Sequence, residues 1–377
     1  MGLSVARGTF LVSASPQTIV TGLGTPPKFA IFFVVGKQTT YNSVSTGAAE
    51  GRGSAGFTNF ANHRCISWAG TDGATSAAAN RIAQSENPIA CINLISNTGD
   101  SALSGVAAIS GNNIVITWSG TIAAYLVEYI AFGGTDITNV TCGITQTPTS
   151  AATPVDVSLG YNYNFLMLLN PIAFPSTVGQ TGRYFTFHAE MGVGYASADG
   201  SGAVVTGQAA SALAARNATS PTSSDVYQSS TKAVAGLISV SAPGPSTVVL
   251  ANFIQPLANG FRINSTGGTN NTTSRRLFYL AVRGLQAKVG VVVPPTVNGQ
   301  TNVVSTGISE STVAVIAQTH GSVAADEVVG AGASLSVGMS SAINTGNTAW
   351  VGPYDDARIL GAILRSRSRS LMRSAAV

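Results

Sequence analysis

Short apolar stretches with a period of two recur along the chain, bounded by Gly, Pro, Asn, Ser and Thr. Ile114, Ile116 and Trp118 alternate with Val115 and Thr117. A period of two places successive side chains on opposite faces of a sheet, whereas a helical face repeats about every 3.6 residues. The flanking residues are those that form turns. The pattern therefore predicts an all-β protein of antiparallel sheets.

Two stretches permit a second interpretation. The Ala-rich segment Ala209–Ala215 is compatible with a short helix or a loop insertion, since Ala favours helices. Between residues 355 and 373, acidic residues precede apolar positions and arginines follow them, which suits a helix and its dipole. A repeat alignment instead places 357–359 where Asn80–Ile82 lies in the first copy, ahead of a strand. Helix and strand both remain open for residues 355–373.

An internal repeat is the main signal in the sequence. The segment Leu126–Gly134 recurs as Leu277–Gly284, and Tyr129 matches Tyr279. Other segments match in the same order, namely Phe29–Val34 with Phe165–Leu169, His63–Trp68 with His188–Val193, and Asn113–Ile116 with Gly260–Ile263. A repeat that includes both strands and turns indicates a duplicated structural unit.

A third copy begins but lacks its closing segments. Asn302–Gly307 and Val313–Ala317 repeat the opening strands, and Ser334–Met339 repeats a middle strand. Counterparts of Ile114–Trp118 and Tyr129–Gly134 are missing. The sequence predicts tandem antiparallel β-sandwich domains at 1–147 and 148–295, and an incomplete third unit at 296–377 with an Arg-rich tail. A neighbouring chain is expected to supply the missing strand, as in donor-strand pairing.

The composition excludes two classes of protein. Only 9% of the 377 residues are charged and 45% are hydrophobic, whereas soluble domains carry about 25% charged residues. Disordered chains and coiled coils are both richer in charge. A charge-poor surface is expected to be covered by neighbouring subunits, so a homo-oligomer is predicted.

The basic residues are concentrated at the end of the chain. The formal net charge is only +4, so neither direct nucleic-acid binding nor membrane binding is expected. The sequence shows no signal for secretion and no apolar stretch long enough to span a membrane. The candidate partner-docking residues, expected to bind acidic groups of another protein, are Arg358, Arg365, Arg367, Arg369 and Arg373.

Candidate chemistry is sparse. The three cysteines, Cys65, Cys91 and Cys142, lack metal-type spacing and are predicted to be buried free thiols. His63 beside Cys65, and His188 with Glu190, are interpreted as structural polar positions. The aspartates beside Gly, Ser or Thr are assigned to turns. No catalytic residue, cofactor or metal is predicted, so the protein is expected not to be an enzyme. Core packing is expected for four aromatic residues, Trp68, Trp118, Tyr129 and Tyr279.

Two motifs carry a resemblance to a known family. A Gly-containing turn, Pro26-Pro27-Lys28 and an apolar strand open the first unit. The element Tyr129-Ile130-Ala131-Phe132-Gly133-Gly134-Thr135-Asp136, with Asn139 and Gly143 after it, closes the same unit. This pattern resembles a family of bacteriophage virion structural proteins built from β-rich units. The second unit departs from the pattern at Arg283 and Gln286.

The resemblance implies a component of the phage particle, synthesised in the host cytoplasm and located in the virion. The favoured hypothesis is a capsid decoration or head-fibre protein that docks on other virion proteins of the capsid or tail. The alternative is a tail-fibre or receptor-binding module that recognises host carbohydrate. That alternative requires exposed aromatic and polar residues at a loop tip.

Overall fold

The described part of the chain folds entirely into strands, turns and connections. The computed structural model describes residues 2–35, 50–71, 80–86, 90–95, 101–150, 153–171, 189–215, 224–239, 247–265, 274–292, 314–320, 328–330, 335–341, 347–348 and 358–366. These residues form 26 strands, and the predicted all-β class is confirmed. No helix capable of crossing a membrane occurs within these ranges.

The first ten strands form unit 1. They are β1 Leu3–Leu11, β2 Gln17–Ile19, β3 Pro27–Val35, β4 Glu50–Thr58, β5 His63–Thr71, β6 Asn80–Glu86, β7 Ile92–Ile95, β8 Ser101–Ser110, β9 Asn113–Gly120 and β10 Leu126–Gly134. The large sheet has the order β1-β10-β3-β4-β5-β6, and the small sheet has the order β2-β9-β8-β7. All pairings are antiparallel.

The next ten strands repeat this plan as unit 2. They are β11 Asn139–Gln146, β12 Val155–Ser158, β13 Phe165–Asn170, β14 Ala189–Ala198, β15 Val205–Ala215, β16 Ser224–Ser229, β17 Val234–Ser239, β18 Thr247–Leu257, β19 Gly260–Ser265 and β20 Arg276–Arg283. The large sheet has the order β11-β20-β13-β14-β15-β16, and the small sheet has the order β12-β19-β18-β17. Both orders are those of unit 1.

Unit 3 consists of the remaining strands. They are β21 Leu285–Val292, β22 Ala314–His320, β23 Val328–Gly330, β24 Leu335–Ser341, β25 Asn347–Thr348 and β26 Arg358–Ser366. Five of them form a sheet with the order β21-β26-β22-β24-β25. The exception is β23, which pairs with β16 and so extends the large sheet of unit 2.

The strand orders correct several details of the predicted repeat. In unit 3, β26 lies between β21 and β22, just as β10 lies between β1 and β3. The prediction that unit 3 lacks its closing strand is therefore wrong, and the helix considered for residues 355–373 is a strand over 358–366. Within the described residues, unit 3 contains no counterpart of the small sheet, so it differs from the other two units there.

Two further expectations also fail. The Ala-rich segment 209–215 is neither a helix nor a loop but part of β15. The match of His63–Trp68 with His188–Val193 is wrong because β14 occupies the place of β4, whereas His63 begins β5.

Sheet membership changes between Gly134 and Asn139 and again between Arg283 and Leu285, whereas the predicted domain bounds lie at 147 and 295.

A separate apolar core fills each of the first two sandwiches. In β9, Ile114, Ile116 and Trp118 are buried while Thr117 is exposed, as the alternation predicts. They pack with Phe32 and other residues from the outward face of the large sheet of unit 1. In unit 2, the corresponding cluster lies between its large and small sheets and is centred on Phe261. Both units are therefore β-sandwiches.

A third core joins the units. The opposite faces of the two large sheets meet in one cluster, in which Phe29 stacks on Phe132 with ring centroids 4.4 Å apart. Phe165 and Met167 of unit 2 lie in the same cluster, and so does Leu285 of β21. Strands that are buried on both faces read as continuous apolar runs, which accounts for the fully buried β10 and β13.

Equivalent strands make the contacts between successive units. β5 of unit 1 lies against β11 of unit 2, and β15 of unit 2 lies against β21 of unit 3. β14 also lies against β21, and its counterpart β24 lies against β1. Repeated head-to-tail contacts that return to the first member form a closed ring. The three large sheets thus surround a common pseudo-threefold axis.

Candidate interaction surface

The connections between units all lie at one end of the sheets, which we call the junction end. It contains the connection 135–138 between β10 and β11 and Gly284 between β20 and β21. Gly134 and Gly284 have φ values of 100° and 102°. Side chains rarely adopt this conformation. A Cβ at Gly134 would also lie 2.1 Å from the carbonyl oxygen of Gly2, so both junctions require glycine.

The two motifs that carry the family resemblance meet at this end. Gly133 lies opposite Pro27 in the β10–β3 ladder. A Cβ at Gly133 would lie 2.8 Å from the Pro26 carbonyl oxygen. The opening turn and the closing Gly-Gly pair are therefore parts of one tightly packed junction, although about 100 residues of unit 1 separate them along the chain.

Polar groups fix each junction. Asp136 Oδ2 accepts a hydrogen bond of 3.0 Å from the backbone N–H of Leu3. The ammonium group of Lys28 donates to the Ile137 carbonyl oxygen. In unit 2, Asn164 Oδ1 accepts a hydrogen bond of 2.8 Å from the Gly284 N–H. Lys28 and Asn164 both directly precede the buried part of β3 or β13, so the two units hold their junctions from the same position.

The two ends of the folded chain also lie at the junction end. Leu3, near the start of β1, is opposite Gly134, and Ser366, the last residue of β26, is opposite Leu285. These positions correspond to a third junction, in which no peptide bond joins the units.

The structure places two of the five predicted docking arginines, Arg358 and Arg365, and it separates them. Arg365 lies at the junction end, but Arg358 lies opposite His320 at the other end of β26. A strand rises about 3.3 Å per residue, so seven residues separate their Cα atoms by roughly 23 Å. Arg367, Arg369 and Arg373 lie outside the described residues. The two predicted docking arginines that the structure describes therefore lie at opposite ends of β26, and the prediction for the other three stays a prediction.

Hydrogen bonds support the contacts between successive units. Asn59 Nδ2 of unit 1 donates to the Val140 carbonyl oxygen at 3.4 Å. Lys288 Nζ of unit 3 donates to the Thr206 carbonyl oxygen at 3.2 Å. The first bond starts from the turn before β5, and the second ends at Thr206 near the start of β15. Each bond reaches the first strand of the next unit, so the two contacts are alike in their placement.

The repeated tyrosines cover cross-strand glycines. Tyr129 lies opposite Gly8, and Tyr279 lies opposite Gly143. Tyr129 and Tyr279 are both buried, and Trp118 is buried as well, with its indole N–H donating to Gln17 at 3.2 Å. Trp68 packs against the central core. The expectation that these four aromatic side chains belong to cores is confirmed.

One carboxyl group lies at the far end of the axis from the junctions. Glu128 in β10 is 9% exposed. Burial raises its pKa to about 7, and the Arg7 guanidinium counteracts part of that change. Glu128 and Arg7 occupy the positions of Phe278 and Cys142 in the ladder of unit 2. This charged pair is thus a feature of unit 1 that unit 2 does not share.

The buried histidine of unit 1 has a structural partner. His63 Nδ1 lies 2.8 Å from Thr58 Oγ1, and burial together with the neighbouring Arg64 lowers the pKa of His63 to about 4. The ring is therefore neutral at pH 7. His188 and the side chain of Glu190 lie outside the described residues, so the prediction for that pair stays a prediction.

The three thiols are buried and free, as predicted. Burial raises the pKa of the Cys91 thiol to about 12 and also raises that of Cys142. Neither thiol is ionised at neutral pH, so neither has the thiolate character that nucleophiles need. Asp199 accepts hydrogen bonds from the N–H and hydroxyl groups of Ser201, which is the predicted turn role. Across the described ranges, no group of three His, Cys, Asp or Glu residues is arranged to hold a metal ion.

Comparison with known proteins finds no matching family model, curated protein or solved structure. The junction end was not identified from the sequence, although both of its motifs were. Their separation along the chain conceals that they form one junction. The available signal was the equal spacing from Tyr129 to Gly134 and from Tyr279 to Gly284 in the two copies.

Proposed function

We propose that this protein is a non-enzymatic structural component of a bacteriophage virion, of the capsid decoration or head-fibre type. The observation that carries the proposal is that three sheets with a common strand order contact one another in a single chain, around an apolar core to which unit 3 contributes through β21. Such a body has several outward faces held in fixed relative positions. This arrangement suits a protein whose task is to occupy a place in a larger assembly.

The junction motifs supply the second support for the proposal. The residues that resemble phage structural proteins, Pro26-Pro27-Lys28 and Gly133-Gly134, pack together at the end of unit 1 where the chain passes to unit 2, and Lys28 donates a hydrogen bond to the connection at Ile137. The resemblance therefore concerns the region where one unit ends and the next begins, which is a property of the architecture. The low content of charged residues in the protein also fits a surface that neighbouring proteins cover in the assembly.

The carbohydrate-binding alternative receives less support. Sugar rings stack on exposed aromatic faces, but Trp118, Tyr129 and Tyr279 are buried and Trp68 packs on the central core. The four aromatic residues considered for such a site thus serve the fold.

Fractionation of infected cells tests the proposal. Mass spectrometry of purified particles is expected to detect the protein at a fixed copy number, and immunogold labelling is expected to mark the head. If the protein is synthesised during infection but is missing from purified particles, the proposal fails. Labelling confined to the distal tail would instead favour the receptor-binding alternative.

A further inference from the structure

We infer that the junction end is the docking surface and that its partner is an acidic protein surface with threefold symmetry. This inference rests on the proposed function, because the partner is taken to be another virion protein. The first support is the arrangement of the units. A single partner can contact three similar positions of a three-unit ring at once only at the two ends of the ring axis. A partner with its own threefold axis offers three identical sites there.

The three junction positions are alike in their backbone. Leu3, Asn139 and Leu285 lie at or near the starts of β1, β11 and β21, which are equivalent strands. Each lies beside the end of a closing strand, β10, β20 or β26. A symmetric partner can therefore engage this end three times. Linked contacts of this kind strengthen binding beyond a single contact.

The charge at this end determines the chemistry of the partner. The strands bring five basic residues to the junction end, namely Lys28, Arg64, Arg283, Lys288 and Arg365. Three acidic residues lie at the same end, namely Glu86 opposite Arg64 and the turn residues Asp136 and Asp199, so the basic residues placed here outnumber the acidic ones. Complementary charge directs partner choice and orientation.

The geometry also selects between the two ends. Arg358 belongs to the same strand as Arg365 but lies at the opposite end, away from the junctions. If the junction end docks, Arg365 and Arg283 contribute to docking and Arg358 does not. This difference provides a matched control within one strand.

A cryo-EM reconstruction of purified particles tests the inference. We expect density for the chain on a threefold or local threefold axis of the shell, with Leu3 and Ser366 facing the shell. If the protein is in the particle but lies off such an axis, or presents its junction end to solvent, this inference fails while the proposed function stands. Absence from particles is the separate result that overturns the proposed function.

Charge variants of the full chain provide the second measurement. R283Q/R365Q is expected to reduce the copy number per particle at least fivefold, whereas R358Q retains the wild-type copy number. Circular dichroism and thermal unfolding of each purified variant establish that it is folded. Equal loss in R358Q and R283Q/R365Q would overturn the assignment of the junction end.

Discussion

Gly8 lies directly beneath the ring of Tyr129 on the neighbouring strand, and a Cβ at Gly8 would be 2.9 Å from Tyr129 Cε1. The same relationship recurs in unit 2, where a Cβ at Gly143 would be 2.1 Å from Tyr279 Cζ. An aromatic ring that covers a cross-strand glycine compensates for the missing side chain. The repeated tyrosine thus has a packing role that its partner glycine makes possible.

Replacing these glycines is expected to destabilise the protein. Tyr279 is held edge-on by Phe261, with centroids 5.3 Å apart, so its ring cannot move aside freely. Overpacking of this kind costs about 1–3 kcal/mol, and we expect G143A to cost more than G8A because its clash is closer. Gly290 is the control, since a Cβ there meets nothing within 4 Å. Chemical unfolding measures all three, and a G290A variant as unstable as G143A would contradict this account.

Alanine at the junction glycines is expected to be more damaging still. At Gly284, φ is 102° and a Cβ would lie 1.8 Å from the Asp136 carbonyl oxygen. Backbone strain and a clash with main-chain atoms therefore act together in G284A. Gly111 has φ of 59° and open space around its Cβ position, so G111A incurs only the left-handed conformation, about 1–2 kcal/mol. Soluble yield and melting temperature are expected to fall much further in G284A than in G111A.

The raised pKa of Glu128 predicts a pH dependence of stability. The folded-state pKa of Glu128, about 7, exceeds the ordinary value of 4.5, so the folded protein binds more protons than the unfolded chain between these two pH values. Stability from this group therefore falls as pH rises from about 4.5 to about 7 and then levels off. At about 1.4 kcal/mol per pKa unit, the whole effect is on the order of 3 kcal/mol.

The variant E128Q removes this titration. The melting temperature of E128Q minus that of the wild type is expected to increase as the pH rises from 5 to 8, because only the wild type loses stability over this range. His63 has the opposite sign, because its lowered pKa favours the folded state above about pH 6.5 and that contribution is lost as pH falls toward 4. The variant H63N removes the titration of His63, so comparing it with E128Q separates the contributions of the two groups to the pH dependence of stability. A difference between E128Q and wild type that does not change with pH would show that Glu128 does not titrate in this range.

Two truncations are expected to behave differently. β26 lies between β21 and β22, so a chain ending at Ala357 leaves both strands without their shared neighbour. A chain ending at Ser366 keeps every described strand. We expect the chain ending at Ser366 to melt near the wild-type temperature, and the chain ending at Ala357 to be insoluble or readily cleaved by protease. A stable, protease-resistant chain ending at Ala357 would refute the placement of β26.

Periodicity and repetition predict most of the fold, because both follow from local side-chain patterns. The alternation of Ile114, Ile116 and Trp118 predicted a half-buried strand, and those residues are buried. The Ala-rich segment misled because intrinsic propensity is weak and packing overrides it. Ala210, Ala212 and Ala214 line a narrow gap against Ala235 of the small sheet, where larger side chains would be crowded.

The closing strand of unit 3 was missed for a related reason. Its sequence, Arg358–Ser366, lacks the tyrosine that identifies β10 and β20. Strand order is set by pairing across the sheet, and pairing depends on residues distant in sequence. The ring of three sheets could not be predicted from the sequence either. It depends on which sheet faces of different units contact each other, and local side-chain periodicity carries no information about those contacts.

Joining the three units in one polypeptide has a chemical consequence for the residues around the axis. In an assembly of three identical chains, an arginine at the place of Arg7 would occur three times, and like charges in a partly buried ring would repel. Here the corresponding place in unit 2 holds Cys142, and that of Glu128 holds Phe278. Because the three units belong to one chain, equivalent positions can hold different residues. The ionisable pair Arg7 and Glu128 therefore occurs in unit 1 beside the uncharged counterparts Cys142 and Phe278, and this makes one side of the body chemically different from the others.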